Sequence, residues 1–405
     1  MSRLYRILSI AGILSLLLSY LGLWIRFIND PVERTGSDFI SFYSTGRVSQ
    51  EHGYSQAYTL SQIHAIQEEQ VGFELAEQQV LLNLHPPFLV PVYHTLFTDQ
   101  YVESFYRWVF LMVVLYIAAI AVLQQIPGES GDTGKCRNEA WVTGLGAFLF
   151  LPIFFSLMNG QDTAWLLLGA ALWMYGLKTG RDVLAGVGLT LTTIRPHVSL
   201  LLALPMLIMH RKVFLTYVIG GGILAALSFI IMGIEGIQNY IDILLISARG
   251  EWHGMKEAAM FNLIGLLIRA FPWLSTEVIR ITGWLIYGLT MLGLLFLWSR
   301  NKDNPGNKFG LTVILALVMV PHLHFHDLAL LLIPIYELVH SGKIKAMSAA
   351  AVPVAISLLL LVSNLSYYLQ YTVPYLVMLA LMIYPSYLRQ KRIFIESNQS
   401  QLPEK

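Results

Sequence analysis

A few polar residues stand out against an otherwise apolar chain, and each type carries its own chemistry. Asp38, in Ser37-Asp38-Phe39-Ile40, can accept a proton from a hydroxyl if partly desolvated, because burial favours the neutral carboxyl. The same Ser-Asp pair also reads as an ordinary helix cap, since a helix-like run follows it. Arg195, in Ile194-Arg195-Pro196-His197, stands at a break between two apolar runs. An intramembrane arginine carries a penalty of at least ~2.5 kcal/mol, so it marks either a site that grips a phosphate or a structural ion pair or snorkelling side chain. His322, His324 and His326 crowd one segment that ends in Asp327. Residues i and i+4 of a helix share a face, which invites a metal, but His324 falls on another side and no zinc-enzyme spacing is present. Hydrogen bonding to phosphate or sugar is the preferred reading, and no metal is expected. Asn159-Gly160-Gln161 reads first as a tight turn, whose amides can also reach hydroxyls.

The elements that must position these residues follow from composition. The chain of 405 residues is 56% hydrophobic and 13% charged, with a mean hydropathy of +0.60. That is too little charge to cover a soluble surface, while apolar runs repeatedly approach the ~20 residues that cross a bilayer. A polytopic, all-α membrane protein is expected. Net charge is +1, and the basic residues sit in short clusters between apolar runs, so they report topology and give no argument for nucleic acid. Cys136 is the single cysteine, which excludes an internal disulfide.

The first apolar run, closed by Arg26, is longer than a signal-peptide core and lacks a small-residue cleavage site, so it is expected to stay as a helix. Residues 29–84 are polar, with helix-like pieces near 38–51 and 55–70. Leu60, Ile63 and Ile66 recur at helical spacing, predicting a helix laid against the membrane or the protein surface. Residues 85–98, opening on His85-Pro86-Pro87-Phe88, are too short to span and read as a partly inserted segment. Further spans are expected at about 101–123, 141–158, 162–177, 183–194, 196–209, 213–233, 276–299, 309–322, 327–340, 346–363 and 367–388.

Lys135/Arg137, Lys178/Arg181, Arg211/Lys212, Arg300/Lys302, Lys343/Lys345 and Arg389/Lys391/Arg392 mark alternate connections, which the positive-inside rule assigns to the cytoplasm. Both termini are then cytoplasmic, including the tail 389–405, with about a dozen spans in a single domain over 1–405. Asp38, the Asn159 turn, Arg195, the 234–275 segment with Trp252, His253 and Asn262, and the His322–Asp327 segment all fall on the outer face. No phosphate-binding loop or dinucleotide fingerprint is present, so energy must arrive with the substrate.

These motifs, taken in order, resemble one family. Asp38 to Arg47, His85-Pro86-Pro87-Phe88, Asn159-Gly160-Gln161, Ile194-Arg195-Pro196-His197, Asn262 to Arg269 and Pro321 to Asp327 are together similar to glycosyltransferase family 87, polyprenyl-phosphate-mannose-dependent mannosyltransferases of the GT-C superfamily. The resemblance implies a GT-C-like bundle of about 12 transmembrane helices with a helical outer loop after the first span. It implies a polyprenyl-phosphate sugar as donor, a lipid or glycan acceptor, membrane lipid as a further partner, and no cofactor.

Asp38 is then the expected general base in an inverting transfer. Arg195, His326 and His322 are expected at the donor phosphate, and Tyr43, Arg47, His85, Asn159, Gln161, His324 and Asn262 at the sugar or acceptor. Departures occur at His85, where the family often has Tyr, and at His324-Phe325, where it often has Trp. A transporter or flippase working without covalent chemistry is the competing class, and a ligase or phosphoryl-transfer enzyme on the same carriers is a third.

Overall fold

The computed structural model describes residues 3–128, 140–248, 257–300, 308–345, 347–366 and 368–383. Cys136, Trp252, His253, several of the basic residues between spans and the tail 389–405 lie outside the described residues. Among the described residues the regular structure is helical throughout, with no strand.

Among the described residues, four helices are long and apolar enough to cross a membrane: Ile10–Asn29, Tyr101–Gln124, Arg211–Ala248 and Thr276–Ser299. Trp141–Phe148 and Leu151–Met158 make a fifth if counted as one span, but they meet at a 57° bend. The bend follows the sequence, because Pro152 sits in the first turn of the second piece and cannot continue the preceding ladder. The other apolar helices, among them Asp182–Ile194, Pro196–Met209, Lys308–Met319, Ser348–Ser363 and Tyr368–Ile383, are only 10–17 residues long. Against the expected dozen spans, four or five helices among the described residues therefore reach crossing length. Prolines and polar breaks shorten the rest.

At the centre lies Thr163–Lys178, packed against Tyr101–Gln124 and Asp182–Leu191. Small residues make the second contact close: a Cβ on Gly169 would stand 2.6 Å from the Gly188 carbonyl oxygen, and one on Gly176 would stand 2.5 Å from Ala185 N. This pairing fixes the start of Thr163–Lys178 relative to the end of Asp182–Leu191, the two places where Asp162 and Arg195 stand.

The first loop is built as two helices, Phe39–His52 and Leu60–Val71, near the positions expected. Ile63 and Ile66 are buried against the protein, so that helix lies on the protein and not on lipid. The fully buried Gln67 amide explains the fit, donating to the Leu81 carbonyl at 2.7 Å and accepting from Leu81 N at 2.9 Å. Phe39–His52 is anchored by rings: Phe39 meets Phe97, Tyr101 and Phe105 edge-on at 5.2–5.3 Å, and Phe42 stacks on Tyr93.

One boundary differs from expectation. The helix starting at Arg211 does not end near residue 233 but resumes to Ala248 after a break at Gly233, whose φ of 65° and ψ of −176° only glycine adopts readily. Its second half packs on the first loop. Gln56 donates to Glu235 at 2.7 Å, Asn239 donates to Ser55 O and Thr59 Oγ1, and Tyr240 donates to the Leu84 carbonyl.

Candidate active site

Asp38 stands just ahead of Phe39–His52, yet its side chain makes no capping hydrogen bond. The cap reading therefore does not hold. Instead Asp38 Oδ2 accepts a 2.7 Å hydrogen bond from Gln161 Nε2. The Asn159-Gly160-Gln161 turn is wrapped onto this corner by three contacts. Phe39 N donates to the Asn159 carbonyl at 3.0 Å, Trp108 Nε1 donates to the Gly160 carbonyl at 2.8 Å, and Gln161 N donates to the Ser156 carbonyl at 2.7 Å.

Gly160 has φ +64, and a Cβ there would lie 2.6 Å from Phe39 Cβ. Gly160→Ala is therefore expected to lower stability by more than the ~1–2 kcal/mol of left-handed backbone strain alone, and to weaken the Asp38–Gln161 contact with it. Thermal unfolding in detergent, alongside activity, checks both effects.

Gln161 is a bridge. Its Oε1 accepts from Arg195 Nη2 at 3.2 Å while its amide nitrogen holds Asp38. Arg195 follows the short turn Thr192–Ile194 and precedes Pro196, which suits the first position of the next helix because it needs no amide hydrogen there. The guanidinium faces two carboxylates, Asp162 Oδ1 at 3.1 Å from Nη2 and Asp327 Oδ1 at 3.8 Å from Nε.

Asp162 is fully buried, and its Oδ2 lies 2.9 Å from His85 Nε2. His85 Nε2 also contacts Arg195 Nη1, and Asn83 Oδ1 fixes the other side of the ring, 2.9 Å from Nδ1. Thr163 Oγ1 donates to Asp327 Oδ1 at 3.2 Å, and Asp327 Oδ2 accepts from His324 N. Asp162 is thus paired on both sides, by Arg195 and by His85. Burial pushes the His85 and His324 imidazoles down, favouring the neutral ring, against the pull of nearby carboxylates.

Asp38, Gln161, Arg195 and His85 are thus brought into one connected cluster, which His326 joins through Asp327, with Nε2 3.7 Å from Oδ1. The histidine segment is not an ordinary α-helix: His322 and His324 precede a 3-10 helix, Phe325–Leu331, that contains His326. The three rings form a row, with centroids 4.7 Å apart for His322–His324 and 5.6 Å for His324–His326, and His197 lies 6.3 Å from His322. Two buried nitrogens of the cluster, Arg195 Nε and His326 Nε2, have no hydrogen-bond partner among the described residues. No group of three or more His, Cys, Asp or Glu among the described residues is disposed to hold a metal ion.

Three of the expected residues are placed elsewhere. Tyr43 donates to the Asp99 carbonyl at 3.0 Å, Arg47 donates to Gln50 and pairs with Glu51, and Asn262 is fully buried at the head of Leu263–Ala270. The Asn159 carbonyl is committed to Phe39 N. Conversely, Asp162, Asp327, Thr163 and Asn83 were not selected from the sequence. The arginine itself was the signal for the two acids: a cation at an apolar break requires counter-charges, and Asp162 and Asp327 each stand at a helix start beside residues already chosen.

A helical membrane protein with a carboxylate held by an amide–guanidinium chain is the class of protein that fold and site define. Residues 83–321 match glycosyltransferase family 87, and the chain belongs to that family and is a glycosyltransferase. The matched stretch contains His85, Asn159, Gln161, Arg195 and Asn262. It begins after Asp38 and ends just before His322. No curated protein and no solved structure matches the chain.

Proposed function

We propose that this glycosyltransferase moves a hexose, with mannose the usual sugar of its family, from a polyprenyl-phosphate donor to a hydroxyl of a lipid or glycan acceptor. The observation that carries the reading is the Asp38–Gln161–Arg195 chain, which ties a proton acceptor to a cation across three distant segments. Asp38 takes the acceptor's hydroxyl proton as that oxygen bonds to the anomeric carbon. The bond from that carbon to the phosphate oxygen breaks on the opposite face, its electron pair stays with the polyprenyl phosphate, and the centre inverts.

Arg195 Nε and His326 Nε2, buried nitrogens without a hydrogen-bond partner that both lie near Asp327 Oδ1, suit the phosphate as charge develops on it, and His322 stands at the other end of the histidine row. His85, Gln161 and His324 border the sugar or acceptor. The proposed setting is a single multi-pass domain of about a dozen spans. Both termini are cytoplasmic, residues 29–84 form an outer loop, 85–98 are partly inserted, and the site faces outward.

Incubating the purified protein with radiolabelled polyprenyl-phosphate mannose and an extract of membrane lipids and glycans tests this. The expected result is a new labelled glycoside. Release of no glycoside, with the label only redistributed across a vesicle membrane, would favour a transporter. A requirement for a diphosphate-linked glycan would favour a ligase.

A further inference from the structure

Asn262 is far from Asp38 in sequence and makes no hydrogen bond to Arg195, Asp162 or Gln161, yet both ends of its amide are used. It is fully buried. Its Oδ1 accepts from Gly265 N at 2.9 Å and so caps Leu263–Ala270, while its Nδ2 donates to the Val320 carbonyl at 2.8 Å. One residue earlier, Phe261 N donates to the Leu323 carbonyl at 3.0 Å. These two bonds flank His322 and hold the start of the histidine row by its backbone. Side chains reinforce the contact, with Phe261 and Phe325 rings 5.4 Å apart.

The pin is itself held from the end of the described chain. Tyr375 OH donates to the Asn262 carbonyl at 2.6 Å and accepts from Arg269 Nη2 at 3.2 Å, and the Arg269 guanidinium lies 4.0 Å from the centroid of the Tyr371 ring. Arg269 also donates to the Ala258 and Met260 carbonyls. Four oxygens, the Ala258, Met260 and Asn262 carbonyls and the Tyr375 hydroxyl, are thereby satisfied around one short backbone stretch.

We infer that Asn262 is a positioning residue for glycosyl transfer, holding the segment of His322 and His324 through the Val320 carbonyl, next to the Phe261 N–Leu323 bond, with Tyr375 as its backstop. The inference rests on the reading of the histidine row as part of the transfer site. A row that carries transition-state interactions must be held to a fraction of an ångström, and a displacement near 1 Å is enough to lose about a hundredfold in rate.

Asn262→Asp separates positioning from capping. Aspartate caps a helix as well as asparagine does, so the bond to Gly265 N survives, but it has no donor for Val320 and sets an oxygen against that carbonyl. The experiment measures, for the full chain in detergent, transfer kinetics from polyprenyl-phosphate mannose together with the rate at which diethylpyrocarbonate modifies His322 and His324, read by mass spectrometry.

The expected outcome is a kcat lowered about tenfold with little change in donor KM, and histidine modification accelerated about fivefold. Tyr375→Phe, which removes only the hydroxyl behind Asn262, is expected to move both in the same direction by about threefold, and it decides the matter if Asn262→Asp does not fold. Wild-type modification rates and wild-type kcat in the folded variants would overturn the positioning role. If the unaltered protein transfers no sugar, the proposed function fails, while the modification rates still report whether Asn262 holds the row.

Discussion

Replacing Asp38 by Asn is expected to lower the transfer rate about a thousandfold while leaving the protein folded, the middle of the range for losing a positioned base. The substitution is close to isosteric, and the amide oxygen of Asn can still accept from Gln161 Nε2 in place of Asp38 Oδ2, so the Asp38–Gln161–Arg195 chain survives. What is lost is the lone pair that takes the acceptor's proton. Initial rates under saturating donor, with the melting temperature measured beside them, check the prediction. Full activity in the folded variant would remove Asp38 from the chemistry and leave it as a structural ligand of Gln161.

Asp162→Asn should instead be a stability mutant. Asp162 lies between Arg195 at 3.1 Å and His85 at 2.9 Å and is inaccessible to solvent. Neutralising it leaves Arg195 with Asp327 at 3.8 Å as its remaining carboxylate partner in the cluster, and breaking one side of a buried pair typically costs about 3–5 kcal/mol. The variant should unfold at markedly lower denaturant and lose activity through misplacement of Arg195. An unchanged unfolding midpoint would mean that His85 and Asp327 suffice to hold the guanidinium.

Much of this was legible in the residues. Apolar runs, prolines and the spacing of Leu60, Ile63 and Ile66 located most helices to within a few residues, because burial and the missing amide hydrogen of proline act locally. The convergence of Asp38, Gln161 and Arg195 could be anticipated only from motif order, since nothing in the spacing says that residue 161 turns back onto residue 38. The failures are of two kinds. Tyr43 and Arg47 share a helix with Asp38, but the helical period turns them toward Asp99 and Glu51. Asp162 and Asp327 look like ordinary residues at helix starts, and they gain meaning only when Arg195 is found between them. Asn262 was expected at the sugar or acceptor from the family-like motif Asn262 to Arg269, whereas both ends of its amide go to backbone.

Gly233 gives the chain a ruler. From Arg211 to that break the helix rises about 33 Å at ~1.5 Å per residue, close to the ~30 Å of a hydrocarbon core. Beyond it the same polypeptide grips Ser55, Thr59 and Leu84. In the proposed topology, the height at which the loop carrying Asp38 rides above the lipid is therefore set by the number of residues below one glycine.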